Sequence, residues 1–172
     1  PVLGGDLHFA ARDARAVLRG FREIMHDAPD GFQATLNLTN GERGLFLGLC
    51  HSGPGSEAES LLKQFRALAP PTKEAVSRQP YATLAEKAAA TNPGNAPAPA
   101  FRAIQTVCRD RISDDVIDIY VDQLAQATPD VVFGLSHYMH GQVCRIAPDA
   151  TAFPHRQAHS IHLRAAYNWN DP

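Results

Sequence analysis

The sequence predicts an α+β domain in which an antiparallel β-sheet carries helices on one face and keeps its other face polar. Three observations predict it. Several segments alternate apolar and polar residues with a period of two, and turn residues join two of them into a hairpin. Between them lie segments whose apolar residues recur every three or four positions, as on one stripe of a helix. The polar side of the alternating segments has no matching apolar surface, so it faces either water or a partner.

Taken in order, Val2 to Phe9 reads as a short strand. Asp13 to Asp27 places Ala14, Val17, Leu18, Phe21, Ile24 and Met25 on one helical stripe, and Ala28-Pro29-Asp30-Gly31 ends it. From Phe32 the period becomes two. Phe32, Ala34, Leu36 and Leu38 alternate with Gln33, Thr35, Asn37 and Thr39. Asn40 to Gly44 is turn chemistry, and Leu45 to His51 returns as the second strand of a hairpin.

Ser56 and Glu59 have capping-box spacing. The helix behind them presents Ala58, Leu61, Leu62, Phe65 and Leu68 before Pro70-Pro71 stops it. Residues 72–88 are weakly patterned, with a short helix over Tyr81 to Ala88. Thr91 to Ala100 holds three prolines and a glycine and reads as a mobile loop. Phe101 to Cys108 is a strand. Ser113 caps a helix with Asp114 and Asp115 in its first turn and Val116, Ile117, Tyr120 and Leu124 as its stripe. Val131 to Met139 and Gln142 to Ile146 read as strands around Gly141, and His159 to Trp169 supplies the last.

At 172 residues the chain suffices for one domain. A formal charge of −2 argues against a non-specific nucleic-acid binder, which needs a basic surface. No apolar run approaches the ~18–20 residues of a membrane span, and no signal peptide is visible, so the chain reads as cytoplasmic. Cys50, Cys108 and Cys144 are scattered and read as buried free thiols. The chain opens on Pro1 within an apolar run and stops at Asp171-Pro172, directly after a patterned segment. It is therefore expected to be a piece of something longer.

The last strand carries the functional argument. Ile161, Leu163, Ala165, Tyr167 and Trp169 point one way; Ser160, His162, Arg164, Ala166 and Asn168 point the other. His162 and Arg164 would stand ~6.5–7 Å apart along the polar side. An imidazole beside a guanidinium suits a site that moves protons and stabilises developing negative charge.

Ahead of this strand runs Thr151-Ala152-Phe153-Pro154-His155-Arg156, and the strand closes on Asn168-Trp169. Together these resemble a signature of the berberine bridge enzyme-like FAD-linked oxidases. His140 to Ile146 falls where that family carries a Gly-Gly hairpin, with Gln142 in place of the second glycine. Pro80-Tyr81 and Ser113-Asp114-Asp115 sit in family-like order.

The resemblance implies that residues 1–172 form a substrate-binding domain, a roof of antiparallel sheet over the flavin ring. FAD would be held mainly by a separate FAD-binding domain of the same polypeptide, and no cofactor-binding residue is assigned in this chain. The reaction implied is oxidation of a small organic substrate (an alcohol, a sugar or an alkaloid-like metabolite) by hydride transfer to flavin, with dioxygen as the acceptor. The resemblance makes His162 and Arg164 the candidate catalytic pair. Substrate would meet Gln33, Thr35, Tyr138, His162 and Arg164. His155 and Arg156 would tie their loop to the neighbouring domain.

Two other readings compete. His155 and His159 make an H-x-x-x-H, but that spacing chelates a metal on a helix, and here it straddles a loop and a strand. A stand-alone module that dimerises or binds a small molecule through its polar sheet face is the non-catalytic alternative.

Overall fold

The computed structural model describes the backbone of residues 1–39, 44–90, 100–108, 111–126 and 131–169, and their side chains apart from 90, 100–108, 124, 131–136 and 164–169. Its elements are β1 (Val2–Phe9), α1 (Ala14–His26), β2 (Phe32–Thr39), β3 (Leu45–His51), α2 (Gly55–Arg66), β4 (Lys73–Gln79), α3 (Tyr81–Ala90), β5 (Ala100–Cys108), α4 (Asp114–Gln126), β6 (Val131–Tyr138), α5 (Gln142–Arg145) and β7 (Ile161–Trp169). The seven strands form one sheet in the order β4-β1-β3-β2-β6-β7-β5, and every neighbouring pair is antiparallel. The α+β class and the antiparallel sheet follow the periodicity.

Alternation decides which side is buried. In β2 and β3 every second residue is buried: Phe32, Ala34, Leu36 and Leu38 in one, Leu45, Leu47, Leu49 and His51 in the other. Against them pack the stripe of α1 (Ala14, Val17, Leu18, Phe21, Met25) and that of α2 (Ala58, Leu61, Leu62, Phe65). Phe65 stacks on Phe32 with centroids 5.6 Å apart and meets Phe21 at 6.4 Å. Each such side chain contributes roughly 1.5–3 kcal/mol by leaving water.

The third helix on this covered face is held differently. Of the described α4 side chains only Ile117 is fully buried, while Arg15, Arg19 and Arg22 on α1 meet Asp114, Asp118 and Asp122 on α4 in a ladder of ion pairs. The Ser113 hydroxyl accepts from the Val116 amide, as an N-cap does.

Four expectations need correction. First, α3 does not join the other helices. Gly4 pairs with Cys50 on the uncovered side, and a Cβ there would meet Leu84 of α3 at 2.6 Å. Val2, on the same side, is buried without belonging to the main core. The helix therefore covers one end of the otherwise polar face, beside β1. Second, β4 stands where the pattern was weakest. It is an edge strand, exposed at five of its seven positions, so burial leaves no period in its sequence.

Third, Gln142 to Arg145 is a single helical turn, not a strand. Gly141 ahead of it has φ 63°, in the left-handed region, and turns the chain out of the sheet. Fourth, the helix α2 starts at Gly55 after Pro54, with no side-chain cap bond, so the Ser56–Glu59 capping box does not form. The described cysteines Cys50 and Cys144 are free but only partly buried. The Cys108 side chain and the loop expected at 91–100, through residue 99, lie outside the described residues.

Candidate functional site

The open face is assembled by register. One row runs across the sheet through His8, Phe46, Asn37, Gly134, Arg164 and Gln105, each paired with the next. A second joins Asp6, Gly48 and Thr35, and a third joins Cys50 and Gln33. Gln33, Thr35 and Asn37 are half-buried, in step with the buried leucines between them. The rings of His8 and Phe46 stack at 5.3 Å.

Two glycines lie in the middle of these rows. Gly134 stands between Asn37 and Arg164, and Gly48 between Asp6 and Thr35. A Cβ at Gly48 would come within 2.8 Å of Thr35 Oγ1. The Thr35 hydroxyl itself reaches the Gly48 carbonyl at 3.4 Å. Gln33 is better fixed. Its Oε1 lies 3.0 Å from His140 Nε2, and its Nε2 donates to the Tyr138 carbonyl at 3.4 Å. Burial holds the His140 imidazole below its ordinary pKa, with Asp30 acting in the opposite sense.

His162 lies between buried Ile161 and Leu163 on β7, and so on the open face. It pairs with His137 of β6 and Val107 of β5. Its ring is stacked by Phe153 at 5.3 Å with 30° between planes, and His155 meets it edge-on at 6.3 Å. The Nε2 atom is buried with no hydrogen-bond partner. Burial lowers its pKa, the neighbouring His155 ring adds to that, and a hydrogen bond with the His155 backbone opposes it. The Arg164 backbone follows two residues on, between Gly134 and Gln105; its side chain lies outside those described.

Tyr138 leaves the candidate site. It is 3% exposed, edge-on to Phe21 of α1 at 6.4 Å, with its hydroxyl 2.9 Å from His159 Nδ1. Burial pushes its pKa up to about 12. The cause of the misplacement is a β-bulge. Leu135 pairs with Leu36 and Leu163, both buried, so counting in twos puts residue 138 on the open side. The register then shifts between Leu135 and His137, so His137 faces His162 and Tyr138 faces Ile161.

Two residues gained by the site were not assigned to it from sequence. Phe153 lies on His162, and His140 holds Gln33. The first belongs to the Thr151–Arg156 run, so the motif marked the right segment. His155 and Arg156 make contacts inside this chain: Arg156 Nη2 donates to Thr151 Oγ1 at 2.5 Å and its guanidinium carbon lies 5.5 Å from the Phe153 centroid. Among the described residues no three His, Cys, Asp or Glu side chains gather as metal ligands.

No protein-family model matches the sequence, and no curated protein sequence does. Solved structures do match. Berberine bridge enzyme from Eschscholzia californica superposes with a TM-score of 0.66 at 17% identity, over 99% of this chain and 36% of that one. 6-Hydroxy-D-nicotine oxidase from Arthrobacter nicotinovorans gives 0.74 at 12% identity, over 96% and 38%. Xylooligosaccharide oxidase from Myceliophthora thermophila C1 gives 0.71 at 12%, over 97% and 39%. The chain thus shares its fold with a little over a third of the length of these oxidases.

Proposed function

We propose that residues 1–172 are the substrate-side domain of a FAD-linked oxidoreductase of the berberine bridge enzyme type. The remainder of such an enzyme would carry most of the FAD contacts. The observation that supports this best is a sheet with one face packed by α1, α2 and α4 and the other showing half-buried Gln33, Thr35 and His162 around glycine positions. Polar side chains set in rows on a wide β-face, with a buried imidazole nitrogen left unpartnered, fit a ligand better than water.

A flavin ring would lie against the open face that carries half-buried Gln33, Thr35 and His162. The sequence has no glycine-rich phosphate loop of the P-loop or Rossmann kind, in keeping with a dinucleotide held elsewhere. A bound flavin would take the hydride, with dioxygen as the final acceptor.

The chain's own part is binding, orientation and proton handling. His162, its pKa lowered by burial, stays neutral at pH 7 and would take up the proton of a substrate hydroxyl or amine once Phe153 moves aside to uncover its buried Nε2. Arg164, two residues along the same strand, would balance negative charge as that proton leaves. Gln33 and Thr35 lie on β2, two strand spacings from β7, ~9–10 Å away, and would orient a small alcohol, sugar or alkaloid-like molecule between.

The test is stopped-flow reduction in the full-length, flavin-loaded protein that carries this chain. Arg164→Ala is expected to slow flavin reduction more than ~10-fold, or ~1.4 kcal/mol of barrier. A protein that never binds flavin, or a reduction rate unaffected by the change, overturns the proposal.

A further inference from the structure

We propose that the Thr151–Arg156 loop is a clamp for His162, with Phe153 the positioning residue that fixes the imidazole and keeps its Nε2 out of water. An imidazole on an open sheet face would ordinarily turn about χ1 and χ2 and sit in water. Here the chain folds back over β7. Arg156, Phe153 and His162 lie in sequence of contact: the guanidinium carbon is 5.5 Å from the Phe153 centroid, and the phenyl ring is 5.3 Å from the imidazole. His155 closes the corner edge-on to both, at 5.9 Å from Phe153 and 6.3 Å from His162.

The loop is itself pinned. Thr151 Oγ1 accepts from the Phe153 amide at 3.3 Å and from Arg156 Nη2 at 2.5 Å, and the Arg156 amide donates to the Pro154 carbonyl at 3.0 Å. The result is an imidazole held by the rings of Phe153 and His155 and by a hydrogen bond with the His155 backbone, with one buried nitrogen unpartnered. The same cover desolvates the ring, in keeping with its lowered pKa. The other groups placed about it are His155 and Arg156 in the loop and His137 across the ladder; on its own strand the backbone of Arg164 follows two residues on.

The use of the clamp in catalysis rests on the role proposed above for His162; the clamp itself is tested without flavin or substrate. In the intact protein that carries this chain, prepared without flavin, the His162 ring is titrated by NMR with selectively labelled histidine. Phe153→Ala is expected to raise its pKa toward the ordinary imidazole value, and Phe153→Tyr to restore the original titration. Thr151→Val and Arg156→Gln, which loosen the loop without touching His162, are expected to shift it the same way and serve if Phe153→Ala does not fold. An unchanged titration in the loosened variants, or Phe153→Tyr behaving like Phe153→Ala, overturns the clamp. Because this readout needs no turnover, its failure is separate from a failure of the oxidase reading.

Discussion

His159 and His162 are three residues apart, yet they serve opposite sides of one sheet. His159 packs into the covered side, its ring 4.3 Å from His26 of α1 and its Nδ1 on the Tyr138 hydroxyl. It has φ 62°, a left-handed backbone that few non-glycine residues adopt, and its surroundings hold it there. His162 lies on the open side under Phe153, in regular strand, with an unpartnered nitrogen. Both have lowered pKa values, with burial the leading cause. The same shift thus accompanies two different situations: a ring bonded through Nδ1 to a buried tyrosine, and a ring held under Phe153 with one buried nitrogen unpartnered.

The contrast between the faces can be broken by mutation. The largest effect is expected within β2. Leu36 is fully buried, and Leu36→Ala should cost about 2–5 kcal/mol in denaturant unfolding, from lost burial plus a cavity. A smaller loss would mean that the core beneath α1 and α2 collapses around the gap.

Next comes acid. The folded chain binds a proton at His159 less readily than the unfolded chain, because of burial, the adjacent His26 and Arg111, with Asp27 opposing. Its contribution to stability is therefore present above the ordinary value of 6.5 and is lost as pH falls through the lowered folded value. His159→Asn, which tolerates the left-handed backbone, should make stability fall less steeply between pH 7 and 5. An unaltered slope would assign the acid sensitivity to other groups, His140 and His162 first.

The smallest effect belongs beside the largest. Thr35→Val, one residue from Leu36 but on the open face, keeps the β-branch and loses only a 3.4 Å hydroxyl contact. It should change stability by no more than about 0.5 kcal/mol, measured in the same unfolding experiment. A loss comparable to that of Leu36→Ala would show that the open face is part of the core.

Much of this was legible because burial imprints a period on the chain. Phe32 to Thr39, Leu45 to His51 and the stripe of α1 each carry their own direction, since neighbouring residues alternate between core and surface. Lys73 to Gln79 carries none, because backbone hydrogen bonds to β1 alone make it a strand. Gln142 to Ile146 has the apolar content of a short strand but follows a left-handed Gly141 that takes it off the sheet.

By itself, then, the sequence determined the α+β class, most of the elements and the face of β7 on which His162 stands, because these follow from local alternation. Only the tertiary structure decided that a bulge turns Tyr138 inward, that α3 crosses to the open face and that Phe153 covers His162. Each depends on a contact between segments distant along the chain or on one uncounted residue in a ladder, and no local period records either.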